Sequence, residues 1–317
     1  LQWKQKPSTI LIVKKPNDKQ TDEALLEMVD WLNQQKSYNI IIEPHNKPEV
    51  IEKLKEVTVF NHETWKGLKD QVDMVITLGG DGSLLHVSSL FNQTVPPIIS
   101  FSMGTLGFLL PFHIKNYKSD LENFINGKIQ LIKRDRLACS FLDSDNQPKL
   151  FSWTGESSDK IHIVNEINLH RGIYPHLTSI NCYVDDLYLT NGVADGIMIS
   201  TPTGSTAYSL SAGGPIIHPM VACLLLTPIC PRSLSFRPVV LPSTSKITLK
   251  VHPESRTHTQ ISLDGRQIGT LNYNELVNIT ISDYPLFSAN RIGLGEDWTH
   301  DINRLLKWNQ SFSIFSK

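Results

Sequence analysis

The chain has 317 residues, of which 40% are apolar and 19% charged, and its formal net charge is −1. That length suits two domains with real cores. A charge so close to zero excludes the broad positive field that nucleic-acid binding uses, so no nucleic-acid partner is expected. No apolar run reaches the roughly 18–20 residues of a membrane-spanning helix, and the longest, Met220–Ile229, is broken by Pro228; no membrane partner is expected either.

The first elements alternate. Thr9–Val13 reads as a strand, Lys14–Gln20 as a loop, and Thr21-Asp22-Glu23 as a helix start with a hydroxyl cap and acids in the first turn. Leu25, Met28, Val29 and Leu32 then fall on one helical face. Asn39–Ile42 is a strand, Lys47–Lys55 a helix, Val72–Leu78 a strand, Leu84–Phe91 a helix and Pro97–Phe101 a strand. A short helix at Asp120–Ile125 stops at Asn126-Gly127. Strand alternating with helix implies a parallel sheet.

From Ile129 the pattern changes. Ile129–Ile132, Arg136–Phe141, Ile161–Leu169, Thr178–Val184, Leu187–Thr190, Gly196–Ser200, Lys246–Val251, Thr259–Leu263 and Val277–Ile281 are short branched or alternating runs between turn residues. They predict an antiparallel β region, with Asp264-Gly265 as a hairpin turn. Trp298–Trp308 reads as an amphipathic helix. The fold class is therefore α/β plus β. The expected domains are 1–128, 129–285 and a terminal segment, 286–317, that packs back on the first.

Three segments carry chemistry. In Gly79-Gly80-Asp81-Gly82-Ser83 a buried strand stops at glycines that allow positive φ and close approach to a ligand. Asp81 then stands at the strand's carboxyl end and the mouth of a helix, where open α/β sheets bind ligands. A carboxylate there can take a proton from a substrate hydroxyl; a capping Asp in a glycine-rich turn is the plainer alternative. In Asp195-Gly196 leading to Thr201-Pro202-Thr203-Gly204-Ser205-Thr206-Ala207-Tyr208, hydroxyls and free N–H groups can hold a ribose, an adenine edge or a phosphate, and Tyr208 can stack a base. The alternative is a hydroxyl loop capping its own backbone. Asn165-Glu166 places an amide and a carboxylate inside an apolar strand, which is costly unless they are paired or face a ligand.

The cysteines Cys139, Cys182, Cys223 and Cys230 show no CxxC pair and no His at finger spacing, so free thiols are expected and no metal ligand is assigned. The chain opens on Leu1 rather than Met, which leaves an upstream targeting segment open.

These three segments, with Gly104-Thr105-Leu106-Gly107-Phe108-Leu109 and Ile229-Cys230-Pro231-Arg232-Ser233-Leu234-Ser235-Phe236-Arg237-Pro238, resemble the NAD kinase family over roughly residues 9 to 312. The first motif alone is shared with diacylglycerol kinases, sphingosine kinases and phosphofructokinases; the second, long one is specific. Lys14-Lys15-Pro16, the stretch from Ser100 to Phe112 and the tail with Asp297-Trp298 and Asn309-Gln310-Ser311-Phe312 are most similar to the family's fungal mitochondrial NADH-kinase branch.

The resemblance implies a phosphofructokinase-like α/β domain followed by a sandwich-like β domain. It implies ATP-dependent phosphorylation of the adenosine-ribose 2′-hydroxyl of NADH and/or NAD, with Mg²⁺ or another divalent cation. Asp81 would be the catalytic base, with Gly79, Gly80, Gly82 and Ser83 around it. Asn165, Glu166, Asp195, Thr203, Thr206, Ala207, Tyr208 and Ser211 would hold the dinucleotide: Asn165 and Thr206 near adenine, Glu166 on ribose hydroxyls, Asp195 and Ser211 toward nicotinamide. Ser205 is a candidate backbone cap. Arg232 and Arg237 are candidates for phosphate or for packing, and His218 is read as structural. A homodimer or higher homo-oligomer in the mitochondrial matrix follows from the same resemblance, with the cytoplasm as the alternative. A lipid kinase sharing the glycine motif and a non-catalytic dinucleotide sensor remain the rival readings.

Overall fold

A computed structural model describes residues 3–35, 37–44, 46–104, 106–153, 156–293 and 296–309. Leu1, Thr105 and the tail residues Gln310, Ser311 and Phe312 lie outside the described residues. The chain divides into two compact units, one of Leu1–Val87, Pro96–Ile132 and Phe287–Lys317, the other of Ser88–Val95 and Lys133–Leu286.

The first unit is built on β1 (Thr9–Lys14), α1 (Lys19–Gln34), β2 (Asn39–Ile42), α2 (Pro48–Ile51), β3 (Val57–Val59), α3 (His62–Leu68), β4 (Met74–Gly79), α4 (Asp81–Leu90), β5 (Ile98–Ser102), β6 (Phe112–His113), α5 (Tyr117–Ile125) and β7 (Gln130–Arg134). The late strand β21 (Leu286–Asn290) joins the same sheet, whose order is β3-β2-β1-β4-β5-β21-β7 with β6 beside β5. β1 pairs in parallel with β2 on one side and β4 on the other. The order therefore turns back at β1, and the carboxyl ends of β1 and β4 lie at that switch point, where open sheets of this kind place ligands. Ile10, Ile12, Ile40, Ile42, Met74, Ile76, Leu78, Ile99 and Phe101 form the core with the Leu25–Leu32 face of α1. The terminal segment thus returns to the first sheet as expected, and α7 (Glu296–Leu306) follows it. The carboxylate of Asp297 accepts the N–H groups of Arg291 at 2.6 Å and Ile292 at 3.1 Å, which ties the start of α7 to the end of β21.

Local details differ from the sequence reading. The cap of α1 is Asp18, whose side chain accepts the Thr21 N–H, while the Thr21 hydroxyl turns back to the carbonyls of Lys15 and Asp18 at 3.0 and 2.9 Å. The helix expected over Lys47–Lys55 is only Pro48–Ile51; its N-cap, Lys47, makes no side-chain cap hydrogen bond.

The second unit holds β8 (Leu137–Leu142), β9 (Phe151–Trp153), β10 (Glu156–Ser158), β11 (Lys160–Ile163), β12 (Glu166–His170), β13 (Thr178–Val184), β14 (Leu187–Ser200), α6 (Tyr208–Ser211), β15 (Cys223–Pro231), β16 (Val239–Pro242), β17 (Ile247–Val251), β18 (Thr259–Leu263), β19 (Arg266–Leu271) and β20 (Leu276–Ile281). Apart from the β9–β10 ribbon, these strands form one sheet in the order β11-β8-β20-β17-β13-β14-β12-β18-β19, with β15 between β14 and β16. Its pairings are antiparallel, and strands from distant parts of the sheet, such as β8, β12, β15 and β17, bury their apolar faces in one core. The sheet therefore curls over on itself.

Two expected strands, Leu187–Thr190 and Gly196–Ser200, are one. Asn191 stays extended because its amide donates to Asn181 Oδ1 at 2.8 Å and its own Oδ1 accepts the Ser179 hydroxyl at 3.1 Å. Cross-strand pairing overrides the turn preference of Asn191-Gly192.

Candidate active site

Within the first unit, Met74–Leu78 is wholly buried and the strand ends at Gly79. Gly79 has φ +152, and a Cβ there would stand 2.6 Å from the Ser83 hydroxyl and 2.9 Å from Lys15 Cβ, so only glycine fits. Of the three glycines it alone takes positive φ, which corrects the expectation for Gly80 and Gly82. Those two lead straight into α4, with Ser83 N–H donating to the Gly80 carbonyl at 2.9 Å, and a Cβ on either would meet open space.

Asp81 opens α4, where the helix's positive end favours its charge. Its Oδ1 accepts the Leu109 N–H at 3.3 Å. A Cβ on Gly107 would lie 2.4 Å from the same oxygen. The two glycine segments of the first domain therefore meet on one carboxylate.

In the second unit the strand expected over Ile161–Leu169 is interrupted between Ile163 and Glu166. The cause is Asp264, whose carboxylate accepts the N–H groups of Val164 at 2.9 Å, Asn165 at 2.7 Å and Glu166 at 3.2 Å. Three charge-assisted bonds hold the chain out of the ladder. Asp264 and Gly265, with φ of 45° and 77°, make the hairpin turn read from the sequence, but the side chain's work on Asn165-Glu166 was missed. Burial pushes the Asp264 carboxyl up, against the pull of the three amides.

The hydroxyl loop locks onto the same segment. Thr201 Oγ1 donates to the Val164 carbonyl at 2.6 Å, and Thr201 N–H to the Asn165 carbonyl at 2.9 Å. Gly204 approaches so closely that a Cβ would stand 2.2 Å from the Asn165 carbonyl oxygen. Asn165 and Glu166 are thus brought against Thr203–Thr206.

Glu166 is 6% exposed and its Oε2 is buried without a hydrogen-bond partner. Burial, helped by the Asp264 charge, pushes its carboxyl up to about 8. A buried carboxyl group with an open acceptor can accept a ligand's hydroxyls.

Thr203 is buried, Thr206 Oγ1 donates to the Thr203 carbonyl at 3.2 Å, and Ser211 and Tyr208 are exposed. Ser205 is a backbone cap: its hydroxyl donates to Pro202 O at 2.7 Å and accepts Ile217 N–H at 3.0 Å. Burial above all, with Cys230, Asp195 and Glu166 adding to it when ionised, holds the Tyr208 phenol above its usual range.

Asp195 accepts Arg171 Nε at 2.6 Å, a partner that sequence reading missed; no motif marks Arg171. Arg232 and Arg237 are exposed. His218 Nδ1 accepts the Met220 N–H at 3.2 Å, in keeping with a structural reading.

Arg136 was also missed. It is fully buried and donates to the carbonyls of Tyr284 at 2.6 Å, Ser88 at 3.4 Å, Phe91 at 3.1 Å and Gln93. It thereby satisfies carbonyls at the carboxyl end of α4, the helix that Asp81 opens.

A parallel sheet with a carboxylate on its glycine turn, followed by a β unit with a hydroxyl-rich polar loop, offers groups that a nucleotide-handling phosphotransferase needs. Comparison with known proteins gives the particular group. Residues 10–129 match the ATP-NAD kinase N-terminal domain and residues 164–290 the ATP-NAD kinase C-terminal domain. The chain belongs to the ATP-NAD kinase family and is an NAD(H) kinase.

It is 41% identical over 314 residues to the mitochondrial NADH kinase of Schizosaccharomyces pombe, covering 98% of this chain and 78% of that one. It is 38% identical to a probable NAD kinase of Oryza sativa subsp. japonica, covering 98% of this chain but 58% of the relative. Among solved structures, yeast NADH kinase complexed with NADH superposes with a TM-score of 0.87 at 34% identity, over 99% of this chain and 91% of that one. An Archaeoglobus fulgidus NAD kinase in complex with ATP, at 20% identity and a TM-score of 0.67 over 94% of this chain and 98% of that one, shares the fold.

Proposed function

We propose that the chain transfers the γ-phosphoryl group of ATP to the adenosine-ribose 2′-hydroxyl of NADH and/or NAD, giving NADPH and/or NADP, with Asp81 as the base. The 2′-oxygen bonds to the γ-phosphorus, the bond to the β–γ bridging oxygen breaks, ADP leaves, and the hydroxyl proton passes to Asp81. A ribose hydroxyl is a poor nucleophile at neutral pH, so a positioned carboxylate raises its reactivity as transfer proceeds. The carrying observation is the Asp81 carboxylate, set at a helix start and oriented by the Leu109 N–H.

Glu166, with its open buried oxygen, suits the ribose diol; Asn165 and Thr206 suit adenine, Tyr208 stacking, and Asp195 and Ser211 the nicotinamide side, with Thr203 and Ala207 completing the loop. The NADH complex of the yeast relative and the match to the ATP-NAD kinase domains support both substrates. Magnesium or another divalent cation on the triphosphate would offset its charge, the phosphates supplying most of its ligands. The mitochondrial names of two fungal relatives support a mitochondrial location, and a homodimer or larger assembly is the expected state.

The test is product formation from Mg-ATP with NADH, NAD and diacylglycerol offered separately. Asp81→Asn should lower kcat about 10²-fold or more while NADH still binds. An unchanged kcat removes Asp81 as base, and phosphorylation of the lipid alone overturns the reading.

A further inference from the structure

Asp81 stands on the first turn of α4, and the glycines around it do little to fix that helix, since a Cβ on Gly80 or Gly82 would meet open space. Further along, Leu84 and Val87 are fully buried. Apolar burial is non-directional, so by itself it lets a short helix slide or roll on the sheet. His86 makes a directional contact: its Nε2 donates to Glu43 Oε1 at 2.6 Å. Glu43 is the first residue after β2, and the sheet order β2-β1-β4 puts β1 between it and the strand that leads into α4. The bond therefore ties α4 to the end of β2 across β1.

Glu43 is itself held in place. Ile40, Ile41 and Ile42 are buried in front of it. The Ile42 carbonyl accepts the Phe60 N–H at 3.2 Å, and the Glu43 carbonyl accepts the Asn46 amide at 2.6 Å. The Glu43 side chain is 8% exposed and that of His86 24%. Burying a carboxyl group is costly, and a well-packed apolar pair would join the two elements at least as firmly. What the hydrogen bond adds is a fixed direction and distance.

We propose that Glu43 and His86 are positioning residues for phosphoryl transfer: their hydrogen bond sets the slide and roll of α4, and so the place of the Asp81 carboxylate. This role rests on the reading of Asp81 as base and names what holds that base, together with the Leu109 N–H. Asp81 and His86 are five residues apart, about 7.5 Å along a helix. Over so short a span a helix moves as one piece, and a slip of about 1 Å at His86 reaches Asp81 undiminished. A displacement of that size costs on the order of 10²-fold in rate.

The experiment compares the full chain with Glu43→Met, His86→Leu, Glu43→Gln and His86→Gln, the first two also in the Asp81→Asn chain. It measures kcat, KM for Mg-ATP and for NADH, and the urea midpoint. Glu43→Met and His86→Leu should each lower kcat about tenfold or more, with both KM values within about twofold. Glu43→Gln keeps an acceptor and His86→Gln an N–H that can reach it, so both should recover most of the loss. In the Asp81→Asn chain neither apolar change should lower kcat further, because no base is left to position. If Glu43→Met does not fold, His86→Leu carries the same comparison. A folded apolar variant with parental kcat, or one whose loss is as large in the Asp81→Asn chain, overturns the positioning role and leaves the base in place. An unchanged kcat for Asp81→Asn alone overturns the reading of Asp81 itself.

Discussion

Gly107 lies so close to Asp81 that a methyl group on it would stand 2.4 Å from the carboxylate's Oδ1. The contact is with the far end of a side chain, so Gly107→Ala should fold but rotate Asp81 away from its place. A shift of about 1 Å in a reacting group costs on the order of 10²-fold in rate. We expect kcat to fall by about 10–100-fold with KM for NADH nearly unchanged, read from initial rates. A variant as active as the parent would show that the orientation of Asp81 does not matter.

Glu166 makes stability depend on pH. Its folded carboxyl is pushed up to about 8 from an ordinary 4.5. The folded chain therefore holds this proton more tightly than the unfolded chain does, so the contribution is fully present below about 4.5 and is lost as pH rises through about 8. Between pH 5.5 and 8.5 the loss should be about 3 kcal/mol. Glu166→Gln, which cannot ionise, should remove that slope and be the more stable protein at the alkaline end. Urea unfolding at both pH values measures it; parallel slopes for the two proteins would contradict it.

Asp264 links the hairpin to the Asn165-Glu166 segment through three amides, at 2.9, 2.7 and 3.2 Å. Asp264→Asn keeps the shape but loses the charge and one acceptor position, for about 1.5–3 kcal/mol of stability. Its charge also helps to raise Glu166, so the same change should move the Glu166 titration to lower pH. The pH profile of stability separates this from a merely weakened fold, which would leave the Glu166 midpoint in place.

Arg136 sends one buried guanidinium to four carbonyls of Ser88, Phe91, Gln93 and Tyr284. Burial draws it down to about 10, so it remains charged at neutral pH. Arg136→Met leaves those carbonyls without their donor and should cost about 3 kcal/mol or more. Arg136→Lys should recover little, since an ammonium cannot reproduce the planar fork. Denaturant midpoints for the two variants test this; near-equality with the parent would remove the anchor role.

Much of this site was legible locally. The strand ending in glycine, the carboxylate after it, the hydroxyl loop and the Asp264-Gly265 turn are each short-range patterns, and short-range patterns follow from side-chain period and turn chemistry. The helical face of Leu25, Met28, Val29 and Leu32 was readable for the same reason, and all four are buried. What failed were features decided by partners far along the chain. The break before Glu166 is made by Asp264, 98 residues away. The continuous β14 exists because β13, β12 and β15 pair along it. Arg171 and Arg136 carried no motif, because a single arginine reveals its partner only after folding.

The sequence by itself determined the chemical types at the centre: a carboxylate on an achiral bend, an amide–acid pair, a loop of hydroxyls, and two kinds of sheet. Tertiary structure alone decided which of them meet. Gly107 came to Asp81, Asp264 to the amides of Val164, Asn165 and Glu166, and Lys15 to Gly79. Residue type and local period act over a few positions, whereas desolvation and hydrogen bonding between distant segments depend on the packed chain, which no local pattern encodes.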